Sequence, residues 1–350
     1  MTDAIVKEIE LRKNYFISDS ATSLEIETIY FGGGTPSIIP TSLIEKILGV
    51  IEKNFKISSQ PEITLEANPD DLTNLKLKEL RITPINRFSI GVQSFYESDL
   101  ILMKRAHSVS QAEDSIKRTQ DIGFENITID LIYGTPTLSD ELFKSNIKKA
   151  LELQINHISA YALTVEEKTL LHHWIKNREI GVVEDTKIEN HFYILTSLLN
   201  ENGYEHYEIS NFAKHGYRAV HNSNYWKNKP YLGIGPSAHS YNGDQRSYNV
   251  RNNSLYIKQL YSNDYQPEIE KLSLNNRYNE RILIGLRTIE GVNAEFMEAE
   301  FGWDFRNFFE KNIQPHVAFG NVIQESNTYS LTLKGKLFAD KIASDCFKAS

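Results

Sequence analysis

The sequence predicts an α/β protein, an open parallel barrel of about five or six strands followed by a small helix-rich domain. Short apolar runs alternate with amphipathic helical segments along most of the chain. Polar side chains follow several different strands instead of only the first. The amino-acid composition becomes polar and asparagine-rich after about residue 245. The expected domains are therefore residues 1–245 and 246–350.

The alternation is regular in both element types. The predicted strands are residues 25–31, 62–68, 86–93, 126–134, 157–163 and 206–210. The predicted helices begin almost at Met1 and continue with 42–55, 110–122, 142–153 and 188–202. An open doubly wound sheet and a parallel barrel both use this order. We favour the barrel because Glu66, Gln93 and Asp130 each lie near the carboxyl end of a different strand, where a barrel gathers its ligand-binding groups.

Composition and charge restrict the class of protein. The net charge of −8 and the pI of about 5.8 argue against a nucleic-acid-binding surface. No apolar run approaches the roughly 18 residues of a membrane span, and charges interrupt the first 15 residues, unlike a signal peptide. We therefore expect a cytoplasmic protein. Cys346 is the single cysteine, which excludes an internal disulfide and a cysteine-rich metal site.

Three glycines follow the first predicted strand and precede Thr35 and Pro36. The loop has neither the Gly-x-Gly-x-x-Gly spacing nor the Gly-Lys-Ser/Thr ending of common phosphate-binding loops. Glycine lets backbone groups approach a ligand closely and permits positive φ. A tight strand-to-helix turn explains the same residues, and local sequence leaves both interpretations open.

A second set of residues consists of Glu66, Gln93, Arg105 and Asp130. Each alone is more typical of a solvated strand end or a salt-bridge partner. Together they offer acceptors and donors for a ribose, an amine and a carboxylate. This combination fits an amino-acid-bearing nucleoside better than it fits a phosphate.

The segment HNSNYW (221–226) is neither clearly strand nor clearly helix in pattern. The imidazole of His221 beside Tyr225 and Trp226 has the chemistry of an axial ligand with aromatic walls for a flat apolar ring. A solvated histidine is the plainer interpretation. A zinc site is a weaker one, because no second ligand pair accompanies the histidines.

Several segments together carry a family resemblance. YFGGGTPS, ITLEANPDDL, RFSIGVQSF, KRAHS, ITIDLIYGTP and HISAYALT resemble, in order and spacing, the radical S-adenosylmethionine proteins of the oxygen-independent coproporphyrinogen oxidase group. EHYEISNFA, HNSNYW and YLGIGPSAHS are similar to the HemW-type haem chaperones within that group. The resemblance implies a partial (β/α)6 radical-SAM-like barrel with a HemN-type C-terminal domain.

The resemblance also implies ligands for this chain. Gly33, Gly34 and Thr35 would meet the methionine end of S-adenosylmethionine. The other family positions around that cofactor are matched by Glu66, Gln93, Arg105, Asp130 and Thr164. Haem would be bound by His221, Tyr225 and Trp226, and haem-accepting proteins would be the partners. An acceptor associated with a membrane remains an open alternative.

One family feature is absent from the sequence. The family holds a 4Fe–4S cluster with a Cys-x-x-x-Cys-x-x-Cys loop after its first strand, whereas this chain has only Cys346. We expect no first barrel strand, no cluster, no catalytic residue and weakened binding of S-adenosylmethionine. The strand at 25–31 should then be an open sheet edge.

Three functions are compatible with the sequence. The first is a HemW-like protein that binds and transfers haem. The second is an oxygen-independent coproporphyrinogen III oxidase-like enzyme of porphyrin biosynthesis, which as written should be inactive. The third is an unrelated nucleotide-binding barrel. HNSNYW favours the first over the second, and the missing phosphate-loop spacings weaken the third.

Overall fold

A computed structural model describes residues 1–17, 24–262 and 264–349. These residues form two compact units. The first unit consists of Met1–Glu27, Ser42–Pro61 and Val220–Ser350, and the second consists of Thr28–Thr41 and Glu62–Ala219. The division into domains 1–245 and 246–350 stays a prediction.

Within the described residues, the main sheet has seven strands in the order β1-β2-β3-β4-β5-β7-β6. They are β1 (Ile26–Phe31), β2 (Ile57–Ala67), β3 (Arg87–Gln93), β4 (Asn126–Tyr133), β5 (His157–Ala162), β6 (Tyr204–Glu208) and β7 (Asn211–Lys214). The strands β2 to β5 are parallel neighbours, whereas β7 runs antiparallel to both β5 and β6. This curled sheet confirms the predicted partial barrel.

Helices connect the parallel strands, as the alternation predicts. In chain order they are α1 (Thr2–Leu11), α2 (Thr41–Asn54), α3 (Asn74–Arg81), α4 (Glu97–Leu102), α5 (Val109–Asp121), α6 (Asp140–Glu152), α7 (Leu170–Lys176) and α8 (Asp185–Glu201). Local sequence sets several of their starts. Ser108 and Gln111 form a capping box at α5, and the hydroxyl of Ser139 accepts from the backbone N–H of Leu142 at α6.

The end of the sheet differs from the sequence-based expectation. The strand predicted at 206–210 is β6, which ends at Glu208; Ile209 and Ser210 form a turn, and β7 follows as a strand that the sequence did not predict. This turn contains no glycine, proline or Asn-Gly pair, so the sequence gives no turn signal there. At the other end, β1 pairs with β2 alone among the described strands, which confirms the predicted sheet edge.

The first unit contains the remaining elements. They are α9 (Val220–Trp226), β8 (His239–Tyr241), β9 (Gln245–Tyr248), α10 (Asn253–Tyr261), β10 (Glu268–Lys271), α11 (Leu274–Arg287), β11 (Val292–Asn293), α12 (Ala294–Phe301), α13 (Trp303–Ala318), β12 (Val322–Glu325), β13 (Thr328–Leu331), α14 (Leu333–Lys336) and α15 (Ala339–Asp345). Small antiparallel sheets form in the orders β10-β9-β8 and β11-β13-β12. The helix-rich C-terminal region is therefore confirmed.

A buried carboxylate fixes α1 within the first unit. Glu8 is fully buried and accepts hydrogen bonds from the hydroxyls of Tyr256 and Tyr265 at 2.5 and 2.6 Å. The Asn249 side-chain amide and the Gly235 backbone N–H also donate to it, each at 2.8 Å. A buried carboxylate is tolerated when donors satisfy its oxygens, as they do here.

No helix among residues 1–17, 24–262 and 264–349 combines the length and the apolar character that crossing a bilayer requires. The cytoplasmic location stays a prediction.

Candidate ligand sites

The glycine loop after β1 needs glycine for two physical reasons. A Cβ on Gly32 would lie 2.7 Å from the Tyr30 ring and 2.8 Å from the nearer carboxylate oxygen of Glu66. Gly33 has φ of +82° and Gly34 has φ of +155°, values that L side chains rarely adopt. A Cβ on Gly33 or Gly34 would meet no described atom within 4 Å, so this part of the loop presents open backbone. The loop is thus a tight turn that also leaves its backbone accessible.

Glu66 is held by the loop it faces. Its Oε1 accepts from the Tyr30 hydroxyl at 2.8 Å, and its Oε2 accepts from the Gly33 backbone N–H at 3.2 Å. These two bonds join the ends of β1 and β2. They also fix the orientation of the Glu66 carboxylate.

The strand ends enclose a cavity of about 200 Å³, which we call the strand-end cavity. It is lined by Gly34, Thr35, Pro36, Glu66, Ala67, Asn68, Ser89, Gly91, Gln93, Arg105 and Asp130. The structure therefore gathers Glu66, Gln93, Arg105 and Asp130 around one space, as their positions at strand ends predict. Gly33 is not part of this lining.

Arg105 occupies one wall of the strand-end cavity. Its Nη2 donates to the side-chain oxygen of Asn68 at 2.8 Å and to the backbone oxygen of Gly91 at 3.0 Å. A Cβ on Gly91 would lie 3.1 Å from the Gln93 amide nitrogen and 3.2 Å from Arg105 Nη2. Gly91 thus leaves the space in which these two side chains approach each other.

The pKa of Asp130, which lines the strand-end cavity, is raised. Burial raises it to about 7, and the negative charge of Glu66 adds to the increase. The positive charges of Arg87 and Arg105 and a hydrogen bond from Ser159 act in the opposite direction. Near neutral pH the carboxyl is therefore present in both protonation states, and it can accept from or donate to a ligand hydroxyl.

Thr164 lies in a neighbouring, more apolar cavity of about 380 Å³. Its lining comprises Gln93, Leu102, Met103, Lys104, Arg105, Ile132, Leu163, Thr164, Glu166, Thr169, Leu170, Leu171 and Trp174. Gln93 and Arg105 line both cavities. A ligand with a polar end and a flat apolar end would have matching surfaces in the two spaces.

The HNSNYW segment, whose sequence pattern indicates neither a strand nor a helix, lies in the helix α9. Its two turns are too short to show an apolar period, so the sequence gives no helix signal. The helix places His221 and Tyr225 on one face, with their rings edge to face at a centroid distance of 5.0 Å. Tyr225 is 41% exposed, and burial of its hydroxyl raises its pKa to about 12.

Trp226 points to different neighbours from those of Tyr225. The Arg287 guanidinium lies over its indole ring, 5.8 Å from the centroid. Among the described atoms, its buried indole N–H has no hydrogen-bond acceptor. The role of Trp226 as a second aromatic wall stays a prediction.

Two other histidines between residues 206 and 239 make different contacts. His206 stacks on Phe212 with ring centroids 4.0 Å apart, and His239 lies 5.4 Å from Tyr248. In the part of the chain that the structure describes, no three His, Cys, Asp or Glu side chains are arranged to hold a metal ion. The zinc alternative for these histidines therefore has no geometric support.

Sequence reasoning missed several cavity residues. Asn68, Ser89 and Gly91 line the strand-end cavity, and Tyr30 binds the carboxylate of Glu66. Alternate residues of a strand point to the same face. Asn68 and Gly91 each lie two residues from a predicted ligand-binding residue, so the sequence could have indicated both. The Tyr30 contact depends on the pairing of β1 with β2, which the local sequence does not indicate.

Comparison with known proteins first defines the class. A model of the Radical SAM superfamily matches residues 8–150, and a model of the HemN C-terminal domain matches residues 272–338. The solved structure of coproporphyrinogen III oxidase (HemN) from Escherichia coli is similar over 99% of this chain and 82% of that chain, with a TM-score of 0.84. At 21% identity this likeness establishes the fold. The fold is that of a radical SAM protein of the HemN type.

Sequence relatives define the family within that class. The chain is 36% identical to heme chaperone HemW of Lactococcus lactis over 83% of this chain and 77% of the relative. It is 32% identical to heme chaperone HemW of Bacillus subtilis over 91% of this chain and 84% of that relative. The chain belongs to the HemW family. This membership excludes the alternative of an unrelated nucleotide-binding barrel.

Proposed function

We propose that this protein binds haem through α9 and transfers it to an acceptor protein. The observation that supports the proposal is the pairing of His221 and Tyr225 on one helix face, with Tyr225 partly exposed. A neutral imidazole nitrogen is a standard haem-iron ligand, and a tyrosine ring can pack against the macrocycle. Its relatives are named heme chaperones, which agrees with this chemistry.

The strand-end cavity is the proposed site for S-adenosylmethionine. Its donor set fits that molecule: Glu66 and Asp130 can accept from ammonium or ribose groups, and Arg105 can bind a carboxylate. The open backbone of Gly34 and the hydroxyl of Thr35 suit the amino-acid end. Thr164, in the neighbouring cavity, suits the nucleoside end.

The residues present do not fit a 4Fe–4S cluster. Cluster iron is held by thiolates, and the sequence contains one cysteine. Cys346 is buried, and burial raises its thiol pKa to about 12, so it is protonated at neutral pH. We propose that this polypeptide binds S-adenosylmethionine with reduced affinity and does not cleave it. The coproporphyrinogen oxidase-like activity is therefore the weaker candidate.

The proposed haem acceptor is another protein, and an acceptor at a membrane is one form of this proposal. A ligand on a single short helix suits transfer, because an incoming protein can reach its outer face. A deeply enclosed haem would require the protein to open before release.

Haem titration tests the proposal. Wild type should shift the Soret band on binding, His221→Ala should weaken binding about tenfold or more, and His172→Ala on α7 is the matched control. Mixing the haem complex with apomyoglobin should then move haem to apomyoglobin at a rate that depends on acceptor concentration. Failure of wild type to bind haem would reject the proposed function.

A further inference from the structure

We propose that Asp99 is a positioning residue for the strand-end cavity and holds the segment that contains Gln93 and Arg105. The inference rests on the proposed binding of S-adenosylmethionine in this cavity. Asp99 does not itself line the cavity. It acts through hydrogen bonds to the loops that follow β3 and β4.

The carboxylate of Asp99 is completely buried and joins two loops. Its Oδ2 accepts from the Ser94 hydroxyl at 2.7 Å, in the loop after β3. Its Oδ1 accepts from the hydroxyls of Thr135 at 2.8 Å and Thr137 at 2.5 Å, in the loop after β4. Burying a carboxylate is unfavourable unless donors satisfy it, so the three hydroxyls and Asp99 hold one another in place.

Ser94 connects Asp99 to Gln93. Gln93 has φ of +68°, a left-handed conformation that a non-glycine residue adopts only when its surroundings impose it. Ser94 follows directly, and its hydroxyl oxygen also accepts from the Asn146 side-chain amide at 2.9 Å. The Asn146 oxygen in turn accepts from the Phe95 backbone N–H at 2.9 Å. This group of bonds fixes the backbone immediately after Gln93 and so directs its side chain toward the cavity.

Asp99 also lies on α4, which leads to Arg105. The Arg105 backbone N–H donates to the Leu100 oxygen at 2.8 Å, next to Asp99 in the chain. On the other loop, the Lys187 ammonium donates to the backbone oxygens of Thr135 and Pro136, each at 3.2 Å. Both cavity-lining residues of segment 93–105 thus depend on one buried carboxylate and the loop it binds.

Two pairs of variants test the inference. Asp99→Asn keeps the volume but replaces one acceptor oxygen with an NH₂ group. In one orientation that group faces Thr135 and Thr137, which then lose their shared acceptor, and in the other it faces the Ser94 hydroxyl. Ser94 already accepts from Asn146 and from the Tyr96 backbone N–H, so it cannot receive this third donor without losing one. Thr135→Val removes one donor at constant shape, and Thr135→Ser restores it. Glu8→Gln is the control, since Glu8 is an equally buried carboxylate within the first unit.

Calorimetric titration with S-adenosylmethionine gives the first measurement. We expect affinity to fall about tenfold in Asp99→Asn and about threefold to tenfold in Thr135→Val. Thr135→Ser and Glu8→Gln should remain within about twofold of wild type. Rescue by serine separates loss of the hydrogen bond from loss of packing. Wild-type affinity in both Asp99→Asn and Thr135→Val would overturn the inference.

Amide hydrogen exchange without ligand gives a second measurement that does not depend on S-adenosylmethionine. Exchange at Ser94, Phe95 and Tyr96 should accelerate in Thr135→Val and return to the wild-type rate in Thr135→Ser. Equal exchange in wild type and Thr135→Val would overturn the inference. If wild type does not bind S-adenosylmethionine, the proposed ligand fails, and the exchange result alone decides whether Asp99 holds this segment.

Discussion

The strand-end cavity and helix α9 are built in opposite ways. The cavity takes residues from β2, β3, β4, the glycine loop and the segment before α5, and its charged residues Glu66, Arg105 and Asp130 are half-buried. Helix α9 presents His221 and Tyr225 from seven consecutive residues, with partly exposed rings. A site assembled from many strands fails when one strand or loop moves. A site on one helix turn depends mainly on that helix, so the two should respond differently to substitution.

An intact radical enzyme would need a 4Fe–4S cluster beside the strand-end cavity. Anaerobic reconstitution of this polypeptide with iron and sulfide should give no stoichiometric 4Fe–4S absorbance, because the sequence offers one thiol. Cleavage of S-adenosylmethionine to deoxyadenosine should be undetectable by chromatography. One cluster per chain that survives Cys346→Ser would contradict this and would show that side chains other than cysteine hold the iron.

Substitution of Glu66 should weaken binding in the strand-end cavity. Glu66→Gln removes the charge that accepts from Tyr30 and Gly33, and we expect a 10- to 100-fold loss of S-adenosylmethionine affinity, about 1.5–3 kcal/mol. Equilibrium dialysis measures the loss. Glu52→Gln, an exposed carboxylate on α2, is the control and should bind like wild type. Equal affinities for Glu66→Gln and Glu52→Gln would remove Glu66 from the site.

The free energy of unfolding should depend on pH because of Asp130. The folded pKa of Asp130, about 7, lies above its ordinary value of 3.8. The protonated carboxyl therefore contributes stability that is complete below about pH 4 and is lost as pH rises through about 7. Asp130→Asn removes this dependence.

Urea unfolding at pH 5 and pH 8 measures the Asp130 effect. Relative to wild type, Asp130→Asn should be more stable at pH 8 than at pH 5 by about 2–3 kcal/mol. A difference of the opposite sign would show that Asp130 is stabilised as a carboxylate and that burial does not dominate its pKa.

The smallest expected effect lies on α9. Tyr225→Leu keeps an apolar side chain but removes the aromatic face, so haem affinity should fall only about threefold, or roughly 0.5–1 kcal/mol. Absorbance titration gives the value. Tyr261→Leu, an exposed tyrosine on α10, should bind haem like wild type. A loss larger than that of His221→Ala would make the tyrosine, not the histidine, the main contact.

The strand-end cavity and α9 also differ in how far the sequence predicts them. Alternating elements and polar strand ends predict the partial barrel and the gathering of Glu66, Gln93 and Asp130, because parallel strand ends share one edge. The contiguous HNSNYW motif indicates a local ligand site, although α9 is too short to predict as a helix. The strand-end residues are regularly spaced, and the HNSNYW motif is continuous in the sequence, so both can be found without the structure.

The contacts that complete the cavity had no such signal. Asp99 binds Thr135 across 36 positions of the chain, and Gln93 adopts a left-handed backbone that a glutamine does not predict. Likewise, the turn that separates β6 from the unpredicted strand β7 contains no glycine or proline to mark it. These features follow from tertiary packing, which overrides local preference.

The most direct test measures haem binding in four proteins under one condition: wild type, His221→Ala, Glu66→Gln and the double variant. No residue is shared between α9 and the strand-end cavity. We predict that His221→Ala weakens haem binding about tenfold or more, that Glu66→Gln leaves it within about twofold of wild type, and that the double variant matches His221→Ala. Wild-type haem affinity in His221→Ala, or a loss of haem binding in Glu66→Gln as large as that in His221→Ala, would contradict the assignment of haem to α9.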